Sequence, residues 1–292
     1  FCGKIIKKYK NIKKIVIFSR DEFKQYNMQK KFPQKNFRFY LGDVRDKARI
    51  QRALEGIDIV IHAAALKQVD KAEANPMEVI KTNILGAQNI IDCCLDSNVK
   101  NVIALSTDKA SSPINLYGAT KLCSDKLFVT ANNIKGKRNI KFSVVRYGNV
   151  LGSRGSVLPL FINQSKNNNF TITHKEMTRF SITLKEGVEF VEWCMSNNFG
   201  GEIFVPKIPS FKIIELAKVI NSKAKLNLIG VRPGEKIHEE MVSENEGMNT
   251  LEIKKGYLIL NNSELNLINR IKKYHKAKKL KNGFSYVSNL KF

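Results

Sequence analysis

The chain has 292 residues, 43% hydrophobic and 26% charged, the make-up of a folded protein rather than a disordered one, and long enough for one large or two modest domains. No run approaches the roughly eighteen consecutive apolar residues of a membrane-spanning helix, and no basic-then-apolar leader opens the sequence, so neither a membrane segment nor a secretory signal is expected. Fifty Lys and Arg against 26 Asp and Glu leave a net charge of +24, mostly from Lys scattered along the chain and densest over residues 272–281. That scatter reads as a solvated basic surface with weak attraction for polyanions, no specific nucleic-acid partner, and room for an anionic small substrate.

In chain order, short apolar runs fall at residues 14–18, 58–63, 102–106 and 142–147. Near-continuous apolar strands of this length suit a parallel sheet covered on both faces. Between the second and third runs lies a helical period, Val79, Ile80, Asn83, Ile84, Ala87, Ile90, Ile91 and Cys94, with Pro76 near its start. The alternation predicts an α/β fold, a Rossmann-like doubly wound parallel sheet over residues 1–150. After residue 150 the texture changes: Gly152, Gly155 and Pro159 interrupt it, and a strand at 202–205 and a helix at 213–220 follow. Residues 151–292 read as a smaller C-terminal lobe with interleaved segments.

Cys2, Cys93, Cys94, Cys123 and Cys194 show neither zinc spacing nor a disulfide framework, as in an intracellular chain with reduced thiols. His62, His174, His238 and His275 form no metal or triad pattern, so no metal is expected.

Ligands of doubly wound sheets sit beyond the carboxyl ends of the strands. Polar or small residues fall there four times, at 19–21, 62–67, 106–109 and 147–149. The strongest local signal is Tyr117-Gly-Ala-Thr-Lys121, a phenol and an ammonium on one helical face. Such an ammonium favours the phenolate, which can take a proton from a hydroxyl. By itself the pattern is common on solvated helices. It follows Ser106-Thr107-Asp108-Lys109, however, where Thr107 can bond a substrate oxygen and Asp108 and Lys109 offer an acid and a base. On an ordinary surface turn those two would be a solvated charge pair.

These residues together closely resemble the extended short-chain dehydrogenase/reductase family, and within it the configuration-inverting UDP-N-acetylglucosamine 4,6-dehydratases. The likeness runs from Leu105 through Lys109, from Asn115 to Phe128, over 146–156 and 177–180, and through Arg232-Pro-Gly-Glu-Lys-Ile-His238. The resemblance implies that Tyr117, helped by Lys121 and Thr107, takes the C4 hydroxyl proton as the C4 hydride leaves for a nicotinamide. Lys109 would then remove the C5 proton and Asp108 protonate the departing C6 hydroxyl, before the hydride returns to C6 and C5 is reprotonated on its opposite face. The implied product is UDP-2-acetamido-2,6-dideoxy-β-L-arabino-hex-4-ulose, for deoxy sugars of the pseudaminic acid type. Retaining dehydratases carry Asp-Glu where this chain has Asp-Lys, and simple 4-epimerases usually lack both. A 4-epimerase or reductase, or a non-catalytic NADP- or polyanion-binding module, are the alternatives.

Several further assignments follow from the resemblance and from strand-end position. Ser19, Arg20 and Lys24 lie where the adenosine ribose binds, and Arg there favours NADP over NAD. Asp43 and Val44 match the adenine contact, Ala63, Ala64 and Ala65 let backbone approach the dinucleotide, and Lys67 and Asn83 complete the cofactor set with Tyr117 and Lys121. Lys67, Asn149, Arg154, Ser156, Arg179, Arg232 and Glu235 are the candidates for holding the UDP-sugar, Arg being suited to two-pronged phosphate recognition. Of the glycine-rich fingerprint only Gly3 is visible, as its last glycine. The first strand and most of the pyrophosphate loop are therefore expected to be missing, and cofactor binding by these residues weak. A cytoplasmic homo-oligomer is implied by the family.

Overall fold

The computed structural model describes residues 1–153, 155–260 and 265–289. Helix α1 (Cys2–Lys8) leads to β1 (Ile15–Ser19), α2 (Glu22–Lys31), β2 (Phe37–Leu41), α3 (Lys47–Ala53) and β3 (Ile59–His62). Asp21 and Asp46 begin α2 and α3 by accepting from the backbone N–H groups of Lys24 and Arg49. Helices α4 (Val69–Ala74) and α5 (Pro76–Ile80) come next, and α5 continues through a π-turn (Lys81–Leu85) into α6 (Gly86–Leu95). The expected helix over 76–94 is thus one stretch with a widened turn at its middle.

Strand β4 (Asn101–Thr107), a 3-10 turn (Asp108–Ala110), α7 (Leu116–Ile134), β5 (Lys141–Tyr147) and β6 (Asn149–Val150) follow. The rest of the chain supplies α8 (Val157–Gln164), β7 (Asn169–Ile172), β8 (Thr178–Ile182), α9 (Leu184–Asn197), β9 (Glu202–Pro206), β10 (Ser210–Lys212), α10 (Ile213–Ile220) and β11 (Lys225–Leu228). It closes with β12 (Glu240–Val242), α11 (Glu244–Gly247), β13 (Thr250–Ile253), β14 (Gly256–Leu260), α12 (Leu265–His275), β15 (Lys278–Lys279) and β16 (Tyr286–Val287).

The main sheet has seven strands in the order β15-β13-β14-β9-β5-β4-β3. Strands β3, β4, β5 and β9 run parallel, whereas β14, β13 and β15 are added antiparallel. Strands β1 and β2 form a parallel pair of their own. Alternate residues of β4 and β5 feed opposite cores, as a period of two requires. Val102, Ala104, Phe142 and Val144 face Ile91 and Phe128, while Ile103 and Val145 face Phe190, Phe204 and Leu258.

The segment after residue 150 does two things. Strands β9, β13, β14 and β15 return to the main sheet, and α8, β7, α10 and β11 pack around a separate core of Phe161, Phe170, Ile172, Met177 and Ile213. Because β3, β4 and β5 are parallel, their carboxyl ends bring residues 62–67, 106–109 and 147–149 to one edge.

Candidate active site

The site is built where β4 ends against the first turn of α7. Asn115 starts α7, its Oδ1 accepting from the Gly118 N–H at 2.8 Å while its Nδ2 donates to the Gly234 carbonyl at 2.7 Å. Gly118 has no room for a side chain: a Cβ would stand 2.3 Å from the Lys109 carbonyl oxygen. The helix therefore lies directly on the Asp108–Ala110 turn, and Tyr117 shares one neighbourhood with Thr107, Asp108 and Lys109. The Thr107 hydroxyl donates to Asp108 Oδ1 at 2.9 Å, and Lys109 Nζ meets the same oxygen at 3.1 Å. Lys109 Nζ is also 3.1 Å from Oε1 of Glu239. Asp108 and Glu239 are buried, and the second oxygen of each has no hydrogen-bond partner.

Burial dominates the electrostatics. It pushes the Tyr117 phenol up to about 12, against the positive charge of Lys109 and the nearby Thr107 hydroxyl. The sequence pattern alone predicts a lowered phenol with Lys121 as its partner. In the structure the ammonium that acts on Tyr117 is Lys109. Lys121 donates to the Leu105 carbonyl at 2.8 Å, and burial lowers its proton affinity despite Asp125. Burial would lower Lys109 too, but the carboxylates of Asp108 and Glu239 outweigh it and hold the group as an ammonium.

Behind this layer, Asp125 lies on the face of α7 that carries Tyr117 and Lys121. It accepts from Ser106 Oγ at 2.8 Å and from Arg146 at 3.3 Å. Glu239 and Asp125 are both absent from the sequence-derived set. The spacing of Asp125, four residues beyond Lys121, was a legible signal; Glu239 had none.

The expected cofactor residues occupy two regions. Arg20 Nη1 is 3.2 Å from Asp43 Oδ2, Arg45 grips the same carboxylate, and Lys24 pairs with Asp21. Ser19 Oγ accepts from the Asp21 N–H. Val44 is a core residue packed on Gly86. Ala63, Ala65 and Lys67 are exposed beyond β3, with Ala64 half-buried. Asn83 anchors that loop, bonding both the N–H and the carbonyl of Leu66 and donating to Thr120 Oγ1. Gly3 lines a cavity of about 650 Å³ together with Met28 and Phe32.

Among the substrate candidates, Arg179, Glu235 and Arg232 form one charged string. Arg232 and Arg179 both meet Glu235, at 3.1 and 3.3 Å, and Arg179 Nε stands 3.7 Å from Glu239. Arg179 is buried and also donates to the Thr178 and Ile237 carbonyls. Its guanidinium is thus bound inside the protein, whereas Arg232 is largely exposed. Asn149 is half-buried in β6, and Ser156 Oγ is buried at the start of α8 without a partner. Arg154 lies outside the described residues. No group of three or more metal-binding side chains occurs among the described residues, and no helix there is long and apolar enough to cross a membrane.

The profile of a polysaccharide biosynthesis protein family matches residues 1–261. A Campylobacter jejuni protein (serotype O:23/36, strain 81-176) named UDP-N-acetylglucosamine 4,6-dehydratase (inverting) is 50% identical over 283 residues, covering 94% of this chain and 84% of its own. A Rickettsia bellii (strain RML369-C) protein named UDP-glucose 4-epimerase is 47% identical over 242 residues, covering 81% and 71%. Among solved structures, Pen from Bacillus thuringiensis matches with a TM-score of 0.87 at 38% identity, covering 94% of this chain and 85% of that one. Half-identity over nearly the whole length makes the chain a member of the polysaccharide biosynthesis protein family and, within it, of the inverting UDP-N-acetylglucosamine 4,6-dehydratases, hydro-lyases of the short-chain dehydrogenase/reductase fold.

Proposed function

We propose that this chain removes water from UDP-N-acetylglucosamine and inverts C5, forming UDP-2-acetamido-2,6-dideoxy-β-L-arabino-hex-4-ulose for deoxy sugars of the pseudaminic acid type. One observation carries the reading: Asp108 and Lys109 meet at a single carboxylate oxygen beside Tyr117. Tyr117 would accept the C4 hydroxyl proton as its phenolate, which the neighbouring Lys109 ammonium and Thr107 hydroxyl favour against burial, with Thr107 holding the oxygen. The C4 ketone acidifies C5, Lys109 takes the C5 proton, and Asp108 protonates the leaving C6 hydroxyl. Arg232, Asn149 and Ser156 are the side chains we assign to holding the UDP-sugar.

NADP suits the residues at the ends of β1, β2 and β3. Arg20 and Lys24, paired here with Asp43 and Asp21, would exchange those carboxylates for a 2′-phosphate, and the side chains of Ala63 and Ala65 leave backbone open to a dinucleotide. Lys121 has two donors beyond its bond to Leu105, a match for ribose hydroxyls. When bound, the nicotinamide supplies hydride acceptance and return. A cytoplasmic homo-oligomer belongs to the same reading, on the resemblance to the family.

The second reading is 4-epimerisation, favoured by the identity to the Rickettsia protein. It would use Tyr117 and leave Asp108 and Lys109 without a task. Incubation with UDP-N-acetylglucosamine and either NADP or NAD, followed by mass spectrometry and NMR, decides. We expect loss of one water and the L-arabino product, faster with NADP. An isomer of unchanged mass overturns the dehydratase reading.

A further inference from the structure

We infer that Glu239 is a positioning residue for the dehydration step: it fixes Lys109 Nζ beside Asp108 and accepts the spare proton of Lys109 when substrate fills the site. The inference rests on the proposed dehydration. Lys109 Nζ sits between two carboxylates, 3.1 Å from Asp108 Oδ1 and 3.1 Å from Glu239 Oε1. Glu239 is only 2% exposed, and its Oε2 has no hydrogen-bond partner. A buried carboxylate oxygen left without a donor is costly unless it serves another state of the site.

Glu239 is itself firmly placed. Its N–H donates to Ser288 Oγ at 2.9 Å and its carbonyl accepts from the Ser288 N–H at 2.8 Å, so β16 and the segment before β12 fix its backbone. The charged and titratable groups facing Lys109 are Asp108 on its own turn, Glu239 before β12, Arg179 on β8 and Tyr117 on α7. Arg179 Nε is 3.7 Å from Glu239 Oε1, and the same guanidinium is shared with Glu235.

Two carboxylates keep Lys109 an ammonium, and an ammonium cannot take a proton from C5. One N–H bond of the ammonium breaks, its electron pair stays on nitrogen, and the proton passes to Glu239. The charged pair becomes an amine and a carboxylic acid, with no net change of charge. Displacing water from around the pair favours this neutral form, because a low dielectric penalises separated charges. The amine then takes the C5 proton and becomes an ammonium again; that proton passes to the Asp108 carboxylate 3.1 Å away and from it to the departing C6 hydroxyl, which leaves as water, and Glu239 returns its proton to the Lys109 amine.

Glu239→Gln tests this, since the amide keeps the shape and removes the proton acceptor. C4 oxidation is read by the absorbance of reduced nicotinamide, and water loss by product mass, from neutral to alkaline pH. We expect C4 oxidation within about twofold of wild type, and water loss about 100-fold slower at neutral pH, recovering as rising pH lets solvent take the Lys109 proton. Glu239→Asp restores part of the neutral rate. A Gln variant that dehydrates at the wild-type neutral rate, or whose loss is the same at every pH, overturns the inference. A wild-type enzyme that loses no water overturns the dehydratase reading instead, and the inference with it.

Discussion

At the scale of single residues, the site divides its charged groups by what surrounds them. Lys121 and Lys109 are both sheltered lysines, yet burial lowers one while two carboxylates raise the other. On the proposed reading Lys109 does the acid–base work once Glu239 has taken its proton, and Lys121 holds. Lys109→Ala should still permit C4 oxidation, slowed because the Tyr117 phenol loses the neighbouring ammonium, and lower water loss by about 100-fold or more. The check is accumulation of reduced nicotinamide without dehydrated product, and normal dehydration by this variant would remove Lys109 from the chemistry. Thr107, Asp108, Lys109, Tyr117 and Lys121 were legible because each stands at a strand end or four residues from a partner on one helix. Glu239 was not legible. It reaches Lys109 across 130 residues of chain, and nothing local in Glu239-Glu240 tells a buried carboxylate from a solvated one.

At the scale of elements, the catalytic geometry depends on how closely α7 lies against the turn after β4. Gly118 sets that distance, and a methyl there would press on the Lys109 carbonyl at 2.3 Å. Gly118→Ala should cost about 1–3 kcal/mol from overpacking, and should slow C4 oxidation and water loss together because Tyr117 and Lys109 move apart. Denaturant midpoints and both partial reactions check this; wild-type rates in the Ala variant would show that the contact does not set the site. Parallel strands were easy to see from sequence, since burial on both faces leaves unbroken apolar runs such as residues 102–105. Strands β13 and β14 went unread although β14 is buried throughout. It forms a hairpin with β13, but its other partner β9 lies about fifty residues earlier and runs antiparallel to it, and that pairing is set by the folded sheet rather than by local pattern.

At the scale of the whole molecule, acids are drawn inward. Asp108, Asp125, Glu192, Glu202 and Glu239 are buried, against Lys121, Arg146 and Arg179 among the bases, so the surface is more basic than the sequence count. The buried groups also join the two parts of the chain. Arg146 on β5 is fully buried and meets Asp125 on α7 at 3.3 Å, Glu246 on α11 at 2.9 Å and the Met241 carbonyl on β12 at 3.1 Å. Glu246 also caps α11 through Ser243 and accepts from Ser111, just past the catalytic turn. One guanidinium thus ties the C-terminal segment to the helix that carries Tyr117 and Lys121. Removing it leaves the buried Asp125 carboxylate without its guanidinium in a low dielectric and costs the part-exposed Glu246 one partner, which together cost more than the contacts alone. Arg146→Met should destabilise the fold by about 3–5 kcal/mol in urea unfolding, and adding Asp125→Leu should recover part of that loss by removing one orphaned charge. Arg146→Met within about 1 kcal/mol of wild type, or no recovery in the double variant, would show that the network is incidental to stability, since only a buried unpaired carboxylate predicts both results.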